Sequence, residues 1–314
     1  MTTLTDMINE VSMNLSGYTL QQDRATHITS AVAATASTIA APITLSLAST
    51  DSVGKGIVEI DEELFWVDNY DRVGNTATIA PYGRAYLGTT LAAHTEGTKV
   101  TIAPTFPRFV IKRAINDTIS AIGSSIFAAK TTTITSNSAV SAFRLPTTVT
   151  LDTTADSLNI SKILAIAYQA LGSSKEWIPI RSYRFDGNAN TTAFTSGQTV
   201  SIYDYIPSGR SVQIVYATDP VPFTTNADVF TTQTGLPESC KDLVILGATY
   251  RLLSNLDPAR ASMVSPQADE TDSKRPYGSS QSLTKQVYAL FNQRLNEEIK
   301  NQQDKYPIRV HYSL

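Results

Sequence analysis

The chain has 314 residues, 42% of them hydrophobic and only 17% charged, with a formal net charge of −3. This composition supplies a core but lacks the positive charge of domains that grip nucleic acid. A single cysteine, Cys240, excludes an internal disulfide, the opening Met1-Thr2-Thr3-Leu4-Thr5-Asp6 has no leader character, and no apolar run is long enough for a membrane span, so neither a secretory leader nor a transmembrane helix is expected.

Leu4, Ile8, Val11 and Leu15 recur at helical spacing, with Thr5 or Asp6 available as a cap. Ser16-Gly17 is expected to interrupt this helix, and a second short helix is expected over 21–30, so that residues 1–38 form N-terminal helices. Residues 39–104 switch to period two, with Ile43, Leu45 and Leu47, then Val58 and Ile60, then Leu64 and Trp66 alternating with polar neighbours. Asp61-Glu62-Glu63 and Val73-Gly74-Asn75 read as turns, giving a small β-domain. Residues 105–130 return to a core helix, with Pro107 in its first turn. Its apolar stripe is Phe109, Val110, Ala114, Ile115, Ile119 and Ile122, opposite Lys112, Arg113, Asn116 and Asp117.

Residues 131–228 carry several short strand patterns and read as a β-sandwich-like domain. Within it, 200–206 and 211–217 are expected to pair as a hairpin about Pro207-Ser208-Gly209. Residues 229–314 hold the C-terminal core helices. Pro237 and Glu238 open one of them, with Leu243, Val244, Leu246, Tyr250, Leu252 and Leu253 on its apolar face. An exposed loop follows over 257–280, then a helix over 282–305 with Val287, Leu290, Phe291, Leu295 and Ile299 on one face. Pro307 stops it, leaving an arm, 306–314, in which Ile308, Val310 and Tyr312 alternate with Arg309, His311 and Ser313 before Leu314. The expected fold class is α+β: a helical-bundle core with two β-rich insertions, one small and one sandwich-like, and an extended C-terminal arm.

Sequence motifs for chemistry are sparse. His27, His94 and His311 lie far apart, and no Cys-x-x-Cys pair, nucleophile elbow or glycine-rich phosphate loop is present. No catalytic residue, metal or cofactor is therefore expected, and Cys240 reads as a buried structural thiol. Glu59, Asp61, Glu62 and Glu63 cluster near Trp66, which allows a sugar or metal cleft. Alternation points Glu59 away from the apolar face, which favours a solvated hairpin tip instead. Asp269-Glu270-Thr271-Asp272 likewise reads as a solvated loop. Trp177, Tyr183, Phe185, Tyr203 and Tyr205 suit a ligand platform, but core packing and interface contact fit them better.

One phrase carries a resemblance. Pro81-Tyr82-Gly83-Arg84-Ala85-Tyr86-Leu87-Gly88-Thr89-Thr90-Leu91-Ala92-Ala93-His94, followed by Gly97-Thr98-Lys99-Val100, resembles a phrase of tailed-bacteriophage virion proteins, Arg-Gly-Tyr-x-Gly-Thr-Thr-x-Ala-x-His. Ala85 stands where that family usually has glycine. In local terms Gly83 and Gly88 permit tight turns or close backbone approach, while Thr89, Thr90 and His94 offer local backbone hydrogen bonds. The order of helices over 4–23, 107–122, 241–256 and 288–307 is similar to the scaffold of phage head-to-tail connector (adaptor) proteins.

The resemblance implies an adaptor core, virion localisation and a homo-oligomeric ring of about 12 copies. It also implies a portal protein above, a neck or tail protein below, DNA crossing the lumen without specific binding, and no membrane partner. The arm Ile308, Arg309, Val310, His311, Tyr312, Ser313 and Leu314 is expected to bind the portal by strand addition, with Arg309 as a charged contact. The rival readings are another neck or tail part, such as a tail terminator or baseplate component, and a carbohydrate-binding or carbohydrate-degrading virion module.

Overall fold

A computed structural model describes residues 2–19, 23–136, 142–144, 148–151, 154–157, 160–171, 176–188, 198–254 and 279–307. The fold is mixed α+β, 33% helix and 30% strand, with a curled antiparallel sheet. It divides into two compact units, one drawn from 8–115 and 248–284, the other from 1–7, 116–247 and 285–314. No helix among the described residues is long and apolar enough to cross a membrane.

Helix α1, Leu4–Thr19, buries Leu4, Met7, Ile8, Val11 and Leu15. Its cap is Thr3, two residues before the Thr5 that the sequence suggests. The Thr3 backbone N–H donates to Asp6 Oδ2 at 2.9 Å, and the Asp6 N–H donates to Thr3 Oγ1 at 3.2 Å, satisfying donors that a helix start leaves open. The helix does not break at Ser16-Gly17. Both residues are exposed, and Ser16 Oγ bonds the Ser12 carbonyl, so the turn continues.

The second helix expected over 21–30 is instead strand β1, Arg24–His27. It pairs antiparallel with β6, Lys99–Ile102, and that distant partner overrides the local pattern. Between them come β2 (Thr44–Ser46), β3 (Gly56–Ile60), β4 (Glu63–Asp71) and β5 (Thr76–Ile79), in sheet order β1-β6-β3-β4-β5-β2. The two edge strands then meet. Ile28 bridges Leu47, Thr29 N–H donates to the Ser46 carbonyl at 2.9 Å, and Ala48 N–H donates to the His27 carbonyl at 3.0 Å. Curling the sheet this way covers strand edges that otherwise template aggregation. The interior holds Ile28, Leu45, Val58, Ile60, Phe65, Val67, Ile79 and Val100. In β4, therefore, Phe65 and Val67 face this core, not the expected Leu64 and Trp66. Leu64 is buried on the opposite side, and Trp66 is 37% exposed.

Helix α2, Arg108–Ile122, starts against Pro107, whose carbonyl accepts from Val110 and Ile111. It buries Ile111, Ala114, Ile115, Thr118, Ile119 and Ile122, the i, i+3, i+4, i+7 stripe of an amphipathic helix. The helix ends at Ile122, and strand β7, Ala128–Thr135, follows.

The second unit holds a four-stranded and a three-stranded antiparallel sheet. The first runs β12 (Trp177–Pro179), β11 (Ile160–Gln169), β15 (Ser211–Thr218), β7. The second runs β13 (Tyr183–Asp186), β14 (Thr199–Ile202), β8 (Ala142–Arg144). Among the described residues, β9 (Thr148–Leu151) and β10 (Thr154–Ser157) pair with each other as a separate two-stranded sheet. The expected hairpin between 200–206 and 211–217 is not formed: β14 and β15 lie in different sheets, β15 being claimed along its length by β11 and β7. Ile166, Val200, Ile202, Val212, Ile214 and Tyr216, from both sheets, form one apolar cluster.

Short helix α3 (Phe230–Thr234) precedes α4 (Lys241–Ser254) and α5 (Ser279–Lys305). A Cβ on Gly247 of α4 would lie 2.3 Å from Thr118 Cγ2 and 3.0 Å from the Phe291 ring, so glycine lets α2, α4 and α5 approach. Two polar side chains clip connections within this unit. Asn116 brackets Phe223 through both its amide groups at 2.9 Å, and Gln302 brackets Phe127 in the same way. Most of the loop expected at 257–280 lies outside the described residues.

Candidate functional site

The densest polar cluster sits on the curled sheet, where the phage-like phrase folds back against β4. Its centre is Glu63, the first residue of β4, 1% exposed. Five donors converge on this one carboxylate. Arg84 Nε (2.9 Å) and the Ala85 N–H (3.0 Å) reach Oε1, while Arg84 Nη2 (2.7 Å), the Ala92 N–H (2.9 Å) and His94 Nε2 (3.0 Å) reach Oε2. Arg84, itself 5% exposed, also donates to the carbonyls of Ala33, Thr35 and Ala92, so one guanidinium ties together three separate segments. Its Cζ lies over the Phe65 ring, 4.8 Å from the centroid. His94, 3% exposed, directs its other nitrogen to Asp61 Oδ2 at 2.8 Å.

The charges in this cluster balance, two anions against two cations. Burial alone would raise Glu63, but bonds from His94, Arg84, Ala92 and Ala85 outweigh it and hold the carboxyl down at about 2. Burial likewise works against a charged His94, yet Asp61 and Glu63 hold its imidazolium up to about 9. The buried Glu63, Arg84 and His94 bond to one another and to nearby backbone, while Asp61 stays open to solvent.

The backbone of the phrase is unusual. Tyr82, Ala85 and Leu87 all adopt left-handed conformations (φ 60°, 50° and 54°). Ala85 therefore occupies the backbone region that favours glycine, at the position where the similar phage phrase has one. Gly83 is required for space: an added Cβ would lie 2.9 Å from both the Ala80 and Trp66 carbonyls. The outward result is a surface of Tyr82 (73% exposed) and Leu87 (64%), beside Trp66, whose ring meets Tyr86 at 5.2 Å with the planes tilted by 43°.

The solvated hairpin tip expected at 59–63 is corrected by this geometry. The turn is present, with Asp61 left-handed at φ 55°. Two of its four acids, however, are buried. Glu59 is 3% exposed because β3 is covered on its outer side as well: its carboxylate accepts the backbone N–H of Arg108, the first residue of α2. Glu62 pairs with Lys112 at 3.2 Å. The sugar or metal cleft fares no better, since these acids are committed to Arg84, His94, Arg108 and Lys112. His94 is not restricted to local backbone bonds either, as its ring reaches the side chains of two acids across the sheet.

Elsewhere the expected sites separate. Tyr183 and Phe185 pack on the apolar cluster of the second unit, while Trp177, Tyr203 and Tyr205 are 38%, 63% and 84% exposed. Cys240 is buried, with its thiol pushed up to about 12 by burial and the neighbouring Glu298. His27 is exposed on β1. A pocket of about 350 Å³ opens among Ser125, Phe127, Lys162, Asp219, Gln302 and Tyr306. The arm residues Ile308 to Leu314, His311 among them, and the acidic run 269–272 lie outside the described residues.

Sequence reasoning missed the Glu63–Arg84 pair, although a signal was present. Arg84 is the one Asp, Glu, Lys or Arg between Arg72 and Glu96, in a run of small and apolar residues. A lone guanidinium in such a run seeks a buried counter-ion, and the acid-rich turn at 59–63 is a nearby supply.

No protein-family model matches the chain, and no curated protein matches it in sequence.

Proposed function

We propose that this chain is a structural, non-enzymatic protein of a tailed-bacteriophage particle, and specifically a head-to-tail connector subunit that assembles as a ring of about 12 copies beneath the portal. One observation carries the reading. Three positions of the phage-like phrase have clear structural roles: Arg84 and His94 form the buried clamp on Glu63, and Ala85 takes the left-handed backbone where the phrase has glycine.

Three further properties agree. A chain with net charge −3 suits a passage that DNA crosses without adhering. The exposed Tyr82, Leu87, Tyr203 and Tyr205 suit surfaces covered by neighbouring subunits. The consumed hydrogen bonds of the Glu63 cluster suit a scaffold rather than an enzyme. In this reading the arm Ile308 to Leu314 engages the portal, and a neck or tail protein binds the opposite side.

Negative-stain microscopy of purified full-length protein, alone and mixed with portal rings, tests this. Closed rings that dock coaxially on the portal are expected. A compact monomer that ignores portal rings, or turnover of polysaccharide that disappears on Asp61→Asn, would overturn it.

A further inference from the structure

Three carboxylates of the curled-sheet unit hold successive points of the chain that leads into α2. Asp23, just before β1, accepts from the Thr105 N–H at 3.2 Å and from its hydroxyl at 3.4 Å. Glu59 on β3 accepts from the Arg108 N–H. Glu62, in the β3–β4 turn, meets Lys112 Nζ at 3.2 Å. Asp23 is exposed and Glu62 half-buried, but Glu59 is 3% exposed. Its cross-strand neighbours, Leu64 on β4 and Thr101 on β6, carry no charge. The charges that bear on it are Arg108 on α2, and Asp23 and Glu62 on the sheet side. The Arg108 guanidinium turns toward Asn9 Oδ1 on α1 at 2.8 Å.

We propose that Glu59 makes the junction between the curled sheet and α2 a proton-responsive joint: protonated, it seats the first turn of α2, and ionised, it favours opening of segment 105–112 to water. This rests on burial and bonding at the junction and is independent of the connector reading.

The direction follows from linkage. Burial pushes Glu59 up to about 7, with Asp23 and Glu62 adding to it, while the Arg108 N–H and charge pull the other way and lose. In an opened junction the carboxyl returns to its ordinary value of 4.5, so opening releases a proton. A raised folded-state value means stability present at low pH and lost as pH rises through 7. With these two values the opening equilibrium rises about tenfold from pH 6 to pH 8.

Hydrogen exchange of the full-length protein at pH 6 and pH 8, corrected for intrinsic rates, reads this directly. Amides over 104–112 are expected to lose about tenfold in protection, and the same amides in Glu59→Gln, which keeps His94 and its pH response, serve as the reference. Glu59→Gln keeps an acceptor for the Arg108 N–H but has no proton to release, so its 104–112 protection is expected to be independent of pH. Unchanged wild-type protection there, or the same pH response in Glu59→Gln, overturns the proposal. Should the variant fail to fold, carboxyl-carbon NMR of the wild type decides. A Glu59 midpoint near 7 supports the joint, and a midpoint below about 5 overturns it.

Discussion

Replacing Glu63 by glutamine changes one oxygen for one amide and should cost about 3–4 kcal/mol in the stability of the curled sheet. The magnitude comes from the bonds. Two donors converge on Oε1 and three on Oε2. Whichever way the glutamine amide is oriented, its NH₂ faces at least two donors, and each orphaned buried donor costs about 1–3 kcal/mol. Arg84 and His94, both buried, also lose the charge opposite them; breaking a buried pair at one end costs about 3–5 kcal/mol. Linkage gives an independent figure. Holding the carboxyl at about 2 rather than 4.5 corresponds to about 3 kcal/mol. The His94 shift reports the same bonds from the other end and is not added to it.

Urea unfolding at pH 7, followed by Trp66 fluorescence, measures the loss. Its pH dependence provides a second check. A depressed folded-state carboxyl contributes stability above 4.5 that disappears as pH falls through about 2, so the gap between wild type and Glu63→Gln should close over that window. On the alkaline side, the raised His94 contributes stability below 6.5 that is lost as pH rises through about 9. The double variant Glu63→Leu with Arg84→Met should cost less than the two single changes summed, because neither charge is left alone. A loss below about 1 kcal/mol for Glu63→Gln at pH 7 would refute the clamp as a stabilising element.

Ala85→Gly should raise stability by about 0.5–1 kcal/mol, since glycine adopts φ 50° without strain; a loss in thermal unfolding would contradict the strain argument. Gly247→Ala should cost about 1–3 kcal/mol in the helical unit, because its Cβ has no room beside Thr118, and an unchanged melting curve would show that α2 and α4 separate freely. Deleting residues 308–314 should leave folding intact by circular dichroism and abolish docking on portal rings, whereas docking with unchanged affinity would remove the arm from the proposal.

Where one face of an element is apolar, the sequence reads through to the structure, and α2 is the example. Ala114, Ile115, Ile119 and Ile122 are legible because the opposite face, Arg113 and Asp117, is polar and exposed, whereas Phe109 and Val110, expected on the stripe, are half-buried and Ile111 and Thr118 take the buried positions. β4 defeated the same reasoning. Leu64-Phe65-Trp66-Val67 is apolar on both faces because the 80–92 segment folds over the outer one, with Gly83 and Ala80 bonded to Trp66 and Thr89 Oγ1 accepting from Leu64. Period two then exists in either register. β1 failed differently. Arg24-Ala25-Thr26-His27 has no apolar alternation, and what makes it a strand is a ladder to Lys99–Ile102, far along the chain. β14 and β15 show the converse error: proximity in sequence suggested a hairpin, while the ladders of β15 went to β7 and β11.

The acids at 59–63 show why composition alone could not assign the site. Glu59 and Glu63 are the same residue type on adjacent strands, 3% and 1% exposed. Their carboxyls nevertheless move in opposite directions, Glu59 up to about 7 and Glu63 down to about 2. Burial penalises the charge in both cases, so burial cannot be the difference. The difference is supply. Glu63 receives five donors, two of them from an arginine and one from a histidine, whereas Glu59 receives the N–H of Arg108 with two further acids, Asp23 and Glu62, nearby. The Glu63 donors come from 84–94 and the Glu59 donor from the start of α2, so the role of each carboxylate is decided by chain segments that fold onto β3 and β4 from elsewhere. One acid thereby becomes a permanent anion that clamps a strained loop, and the other a group whose proton is exchangeable near neutrality, although the local sequence around the two gives no basis for telling them apart.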